Sequence, residues 1–398
     1  MSLSISILGL AGLVLIHELG HFLVARATGM SPRRFYIGFP PALVKVRRKG
    51  IEYGIGAIPL GGYVKIPGMH RPAPTDLEVG FGRAVEERPR LGRVVDRLKR
   101  LVGAGEMEDA RRVLPELEAE VREEKLSESA RRAAERGLRE LEDGLGDDAY
   151  WRQRTWKKVA VIFAGPAANV LVALALFTGL LMQDAWQIGV RLQAAPDNAA
   201  TTRIEEVLAD TPARAAGLRA GDNIVAVNGM PVSARRLLDM IADSKGRPLQ
   251  LTVRRGPTTV VTVLSAQRRG GLSPPAAVGR SAQITWHVSK EIALFFPRLA
   301  TGEGASEVSS PVGIAQVSSE ALDQSFGDFV FVLGLISLSL ALLNLLPLLP
   351  LDGGHIAFSV IEGIRGRALG RELYERVSVV GIAFVLVLFV IGLSNDVG

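Results

Sequence analysis

Apolar and polar positions follow different periods in different parts of this chain. Four stretches stay apolar long enough to cross a bilayer core, which takes about 20 residues of helix. They run about Leu3–Val24, Val159–Met182, Phe329–Pro350 and Val377–Leu393, and each predicts a transmembrane helix. The second carries Gly165, Ala167 and Ala168, small residues that let helices approach closely. The third contains Asn344, Pro347 and Pro350, so its last turns cannot be regular helix. Irregular backbone at membrane depth is tolerated where protein buries it or it lines a cavity. The break therefore marks a candidate site.

Between these spans the pattern changes. Pro41–Met69 is rich in Val, Ile and Tyr with a turn at Lys49-Gly50, which reads as short strands and a membrane-associated β-hairpin within 31–71. Residues 72–150 are dense in Glu, Arg, Leu and Ala. Val113, Leu117 and Val121 form one apolar stripe, and Leu138, Leu141 and Leu145 a second. Glu118/Arg122, Glu128/Arg132 and Glu135/Arg139 stand four apart, as ion pairs on a helix surface do. Two or three amphipathic helices are predicted there, in a charged insert. Residues 200–267 alternate short apolar runs with Gly and Asn turns, predicting a small mixed β domain within 184–270. The remaining segments are the first span at 1–30, the second at 151–183, a linker at 271–328, the third span at 329–356, and a loop with the last span at 357–398.

Composition agrees with spans joined to water-exposed parts: 48% of residues are hydrophobic, yet 22% are charged. The absence of cysteine excludes a disulfide framework and a cysteine zinc site. The net charge of +6 comes without a basic patch interleaved with aromatics, so no nucleic-acid partner is expected. The positive charges sort the loops instead. Arg26, Arg33 and Arg34 follow span one, Arg152, Arg154, Lys157 and Lys158 precede span two, and Arg365, Arg367, Arg371 and Arg376 lie between spans three and four. These ends are expected in the cytoplasm, with both termini and about 183–328 outside. The first span lacks the basic start and cleavage pattern of a signal peptide and reads as retained.

The first span also carries HELGH, His17 to His21. On a helix the two histidines lie one turn apart on one face, where they can chelate one Zn²⁺, and the intervening Glu18 can act as general base. Ionisable groups in a span are expensive and point to function. A catalytic zinc needs a third protein ligand and an open position. Ala27 stands where a metzincin-type motif has its third histidine. Glu52 lies in the predicted hairpin. Asp352 and His355 follow the proline break at the same membrane depth as HELGH. Asp352 is preferred over His355, and the other candidates stay open on this reading.

HELGH, GGYVKIPGM, FAGPAANVL, TPARAAGLRAGDNIVAVNG, SSPVGIA and NLLPLLPLDGGH occur in that order. The fourth string closely resembles a bacterial PDZ domain. Together they resemble the site-2 protease family of intramembrane zinc metalloproteases, in its bacterial RseP-like branch but with a single PDZ-like domain. The resemblance implies a polytopic α-helical membrane protein of about four transmembrane helices, with a membrane-associated β-hairpin, a helical cytoplasmic insert and one extracytoplasmic PDZ-like mixed β domain. It implies that His17, His21 and Asp352 ligate Zn²⁺ and that Glu18 activates water. Asn344 would hold the backbone of an unwound substrate, and Gly61, Gly62 and Tyr63 would offer an edge to a substrate strand. The implied activity is regulated intramembrane proteolysis of single-span membrane proteins, such as anti-sigma factors or remnant signal peptides. It would take place in the bacterial inner membrane, with the active site toward the cytoplasm. Expected partners are those substrates, the lipid bilayer and a protein that docks on the 72–150 insert. The alternative is a membrane scaffold with structural zinc whose PDZ-like domain binds C-terminal tails. Glu18 beside the metal argues against it, because a structural site takes four protein ligands.

Overall fold

The computed structural model describes residues 2–194, 200–300, 304–367, 369 and 371–397. They form two compact units, Met1–Leu176 with Gln283–Gly398, and Phe177–Ala282.

The first unit opens with α1, Ser2–Ala27. Its buried positions include Ser6, Leu13, His17, His21 and Ala25, a spacing that keeps them on one helix face. Leu8, Leu19 and Leu23 are exposed, as apolar groups on a lipid-facing surface are. Two long strands follow, β1 (Arg34–Arg48) and β2 (Ile51–Lys65). Lys49 and Gly50 join them with φ of 50° and 81°, the paired positive values of a type I′ turn. The pairing goes beyond the predicted hairpin. Arg34–Ile37 pairs with Glu52–Ile55 on one side and with Gly62–Lys65 on the other, while Ala42–Arg48 pairs with Ile51–Gly56. Two strands thus make a sheet four segments wide. Gly38 permits it: at φ 85° it bends β1, and a Cβ there would lie 2.8 Å from the Ile58 carbonyl oxygen. The segment Gly62–Lys65 is left at one edge of the sheet.

The charged insert holds four helices rather than two or three: α2 (Pro74–Glu87), α3 (Arg90–Ala104), α4 (Met107–Glu123) and α5 (Glu128–Leu145). Pro89 stops α2, and Gly105 at φ 84° caps α3, which accounts for the larger number. Phe81 and Leu98 pack with the two predicted stripes into one core. The Glu118–Arg122 and Glu128–Arg132 pairs form as expected. Asp143 ties this bundle to the sheet, accepting from Arg33 and Lys65 at 2.7 Å each. A turn of 3-10 helix, Tyr150–Arg152, then donates its Tyr150 N–H to the Pro67 carbonyl (2.9 Å), which fixes the chain beyond β2 before α6, Thr155–Leu181.

The second unit contains β3 (Ala185–Gln187), β4 (Val190–Ala194), β5 (Ala200–Val207), α7 (Pro212–Ala215), β6 (Asn223–Val227), β7 (Met230–Pro231), α8 (Ala234–Ser244), β8 (Pro248–Arg255), β9 (Thr258–Ser265) and β10 (Gln267–Arg269). Strands β4, β5, β6, β8 and β9 follow one another in an antiparallel sheet, and β3 pairs with β10. This is the small mixed β domain predicted, with Ile204, Ile224, Leu237 and Leu251 in its core. Asp222 is only 1% exposed. It accepts from Arg255 Nε and Nη2 and from the Arg219 N–H, each at 2.8 Å. These donors, Arg255 foremost, hold its carboxyl below the usual range. A lowered folded value means the stabilisation is complete above the unfolded pKa of about 3.9 and is lost as pH falls through the folded value. Asp222→Ala is expected to weaken this unit by about 3 kcal/mol at neutral pH and to flatten its acid sensitivity. Hydrogen exchange of β6 and β8 in the full chain, compared at neutral and acid pH, checks both.

The chain returns through α9 (Pro274–Ala300), α10 (Pro311–Gln324), α11 (Phe326–Asn344), α12 (Asp352–Arg365) and α13 (Arg371–Val397). The stretch read as a linker is therefore largely helical. Among the described residues four helices are long and apolar enough to cross a membrane: Ser2–Ala27, Thr155–Leu181, Phe326–Asn344 and Leu373–Asp396, matching the four predicted. The predicted break is present, since α11 stops at Asn344 and α12 starts at Asp352. Leu13 packs on Phe329 and Leu333, joining α1 to α11, while Ala25 clusters with Val161, Ile162 and Ile66, joining α1 to α6 and the sheet.

Candidate functional site

Three elements distant in sequence meet where α1 faces α6 and the start of α12. His17 Nε2 lies 3.1 Å from Asp352 Oδ2, His21 Nε2 lies 3.3 Å from the same oxygen, and the two Nε2 atoms are 3.2 Å apart. An ion bound tetrahedrally with bonds of about 2.0–2.1 Å spaces its ligand atoms about 3.3 Å apart. The three atoms thus form one face of such a tetrahedron and leave the fourth corner to a non-protein ligand. Among the described residues this is the grouping of three His, Cys, Asp or Glu side chains close enough to share an ion.

The surroundings fit the same purpose. Nδ1 of His21 lies 2.9 Å from the Val161 carbonyl, and donating its proton there leaves the Nε2 lone pair for a metal. The fully buried Asn169 places its amide nitrogen 3.4 Å from Nδ1 of His17, and its carbonyl oxygen has no partner. Turning that amide over sets the oxygen against Nδ1–H, which satisfies both atoms and again frees Nε2. Gly165 closes the back. A Cβ there would lie 2.3 Å from His21 Nε2 and 2.8 Å from His17 Nε2, inside the ligand cluster itself. Glu18 sits beside the cluster, against the backbone of Val64. A cavity of about 400 Å³ opens onto these groups.

The sequence description Peptidase family M50 matches residues 5–388. The chain belongs to peptidase family M50. It is therefore a zinc metalloprotease with apolar helices suited to a membrane, of the site-2 protease family. A putative zinc metalloprotease of Brucella suis is 29% identical, over 96% of this chain and 91% of the relative. Zinc metalloprotease Rip1 of Mycobacterium tuberculosis is also 29% identical, over 88% of this chain and 83% of its own. A solved structure, the PDZ domain of HtrA3 bound to a phage-derived ligand, is similar at 27% identity over 22% of this chain and 91% of that one, with a TM-score of 0.19.

Within this M50 peptidase the three candidates for the third ligand separate. Asp352 meets the histidines. Glu52 does not: Arg34 and Lys45 each approach it at 3.4 Å and the Tyr36 hydroxyl donates to it. Led by that hydroxyl, these donors lower its pKa. His355 lines the same cavity as the cluster but does not join the three grouped side chains. Asn344, Gly61, Gly62 and Tyr63 all line that cavity too. Asn169 is the residue that sequence reasoning passed over. Its signal was a polar amide inside an apolar span, four residues after Gly165 and so on the same helix face.

Gly62 meets Glu18 most closely, since a Cβ on it would lie 2.3 Å from Glu18 Cγ. Gly62→Ala is expected to push the carboxylate aside and lower peptide cleavage about 100-fold, as misplacing a reacting group by about 1 Å does. Zinc content, measured alongside, should stay at the wild-type level.

Proposed function

We propose that this M50 peptidase is an intramembrane endopeptidase that cuts single-span membrane proteins. The observation that carries the reading is the His17–His21–Asp352 cluster on an apolar helix pair, with Glu18 beside it and a sheet edge opposite. His17, His21 and Asp352 would hold Zn²⁺, which when bound would supply Lewis acidity toward water and a peptide carbonyl. Glu18 takes the proton from the attacking water and passes it to the leaving amide nitrogen, which becomes the new amino terminus. A transmembrane helix must unwind before it can be cut, and unwinding exposes N–H and C=O groups that cost several kcal/mol each in lipid. Gly61, Gly62 and Tyr63 take up those groups by strand addition, and Asn344 holds the backbone from the α11 side.

The arginines at the span ends favour an active site toward the cytoplasm and an extracytoplasmic Phe177–Ala282 unit. That unit acts as a PDZ-like module that controls which substrates reach the membrane part. Anti-sigma factors and remnant signal peptides are the substrate types favoured. The test is co-expression with tagged single-span proteins in cells lacking their own enzyme of this kind. A shortened fragment should appear with wild type and disappear on chelation, returning when zinc is restored. Zinc-loaded protein that cuts no single-span protein, even after its outer domain is trimmed, would sink the proposal.

A further inference from the structure

A second cavity, of about 530 Å³, lies between the sheet edge and the α2–α5 bundle. It adjoins the active-site cavity, and Tyr63, Val64, Ile66 and Met69 line both. One wall is the edge segment. The Arg33 N–H donates to the Lys65 carbonyl at 2.7 Å, so Lys65 points its backbone groups into the sheet. Neighbouring residues of a strand point theirs opposite ways, which leaves those of Val64 directed outward, its N–H toward the Glu18 carboxylate. The other wall belongs to α2 and α5. Val79 stands on it 83% exposed, the one large aliphatic side chain of the bundle so exposed among the described residues. Beside it Gly80 and Gly137 meet so closely that a Cβ on Gly80 would lie 3.1 Å from the Gly137 Cα. Ala133 adds only a small side chain beside that contact, while Asp76, Arg136 and Glu140 line the same wall with charge.

We propose that this groove receives the substrate itself: the extended flank on the water side of the cut bond passes between the sheet edge and the α2–α5 bundle. The inference rests on the intramembrane protease reading and adds a role for the bundle, which becomes the far wall of a substrate channel. Three features fit one occupant. The groove continues the cavity where the bond is cut. The edge supplies hydrogen-bonding groups for extended backbone, and at about 3.3 Å per residue the segment 63–66 guides roughly 13 Å of chain. The opposite wall offers one exposed apolar contact, Val79, beside the close Gly80–Gly137 approach, with the charged Asp76, Arg136 and Glu140 around it. The bundle then selects substrates whose water-side flank is extended and long enough to reach Val79.

The test uses the full-length enzyme and two substrates with the same span. One has an extended flank of about 20 residues beyond the cut, and the other ends about three residues beyond it. Ala133→Trp fills the groove. It should cut the long-flank substrate at least about tenfold more slowly and leave the short one at the wild-type rate, which also shows that the variant folds. Equal rates on both substrates for Ala133→Trp overturn the inference. Wild type that cuts neither substrate takes down the protease reading instead. A benzophenone side chain placed at Val79 in a Glu18→Gln background gives a second measurement. It should crosslink to the long flank, and no adduct, or equal adduct with the short substrate, overturns the inference as well.

Discussion

Glu18→Gln should lower peptide cleavage by roughly 10²–10⁴-fold, the range that one positioned general base supplies, while the protein keeps its zinc. Both halves of that expectation follow from where the carboxylate lies. It adjoins the His17–His21–Asp352 cluster without belonging to it, so the amide replacement leaves all three ligand atoms in place. Gln keeps the shape that fits against Gly62, so the sheet edge does not move. What it loses is the capacity to take a proton from water. Metal analysis together with fragment yield decides the matter. Full zinc with normal cleavage would remove Glu18 from the chemistry. Loss of zinc would make it a ligand or a support for one.

Asp352→Asn should do the reverse, weakening zinc binding by at least about 100-fold and taking activity with it. Changes to groups that merely support a ligand already cost about 10–100-fold in affinity, and here the ligand itself changes. The carboxylate is also the negative charge nearest the two buried histidines, at 3.1 and 3.3 Å, and without it the three-residue cluster offers no charge of its own to offset a divalent ion. Titration against a competing chelator measures the shift. Variants that hold zinc as tightly as wild type would show that another group completes the set, and His355 in the same cavity would be the first to test.

Much of this site was legible from spacing alone. HELGH on a helix puts two candidate ligands on one face with a candidate base beside them, because four residues make nearly one turn. The third ligand was narrowed by depth: a proline break placed Asp352 level with the histidines, and the structure brings it there. The features that escaped are those set by long-range register or by close approach. Nothing local says that Gly62–Lys65 folds back to pair with Arg34–Ile37, since pairing depends on contacts about 30 residues apart. Asn169 is an ordinary polar residue until His17 arrives 3.4 Å away. The helices α9 and α10 were hidden for a different reason. Their mixed composition is neither apolar enough for a span nor regular enough for an amphipathic stripe.

The ligands that meet at the cluster are separated by 335 positions along the chain. At ribosomal rates of about 5–20 residues per second, Asp352 emerges roughly 20–70 s after His17. Through that interval the growing protein carries two of the three candidate ligands, His17 and His21, without the third. On the proposed ligand set, activity would wait until α12 has been made and has docked. The order of synthesis therefore works as a safety interlock. On the proposed ligand set, a truncated product that stops before α12 would lack Asp352 and so its third zinc ligand.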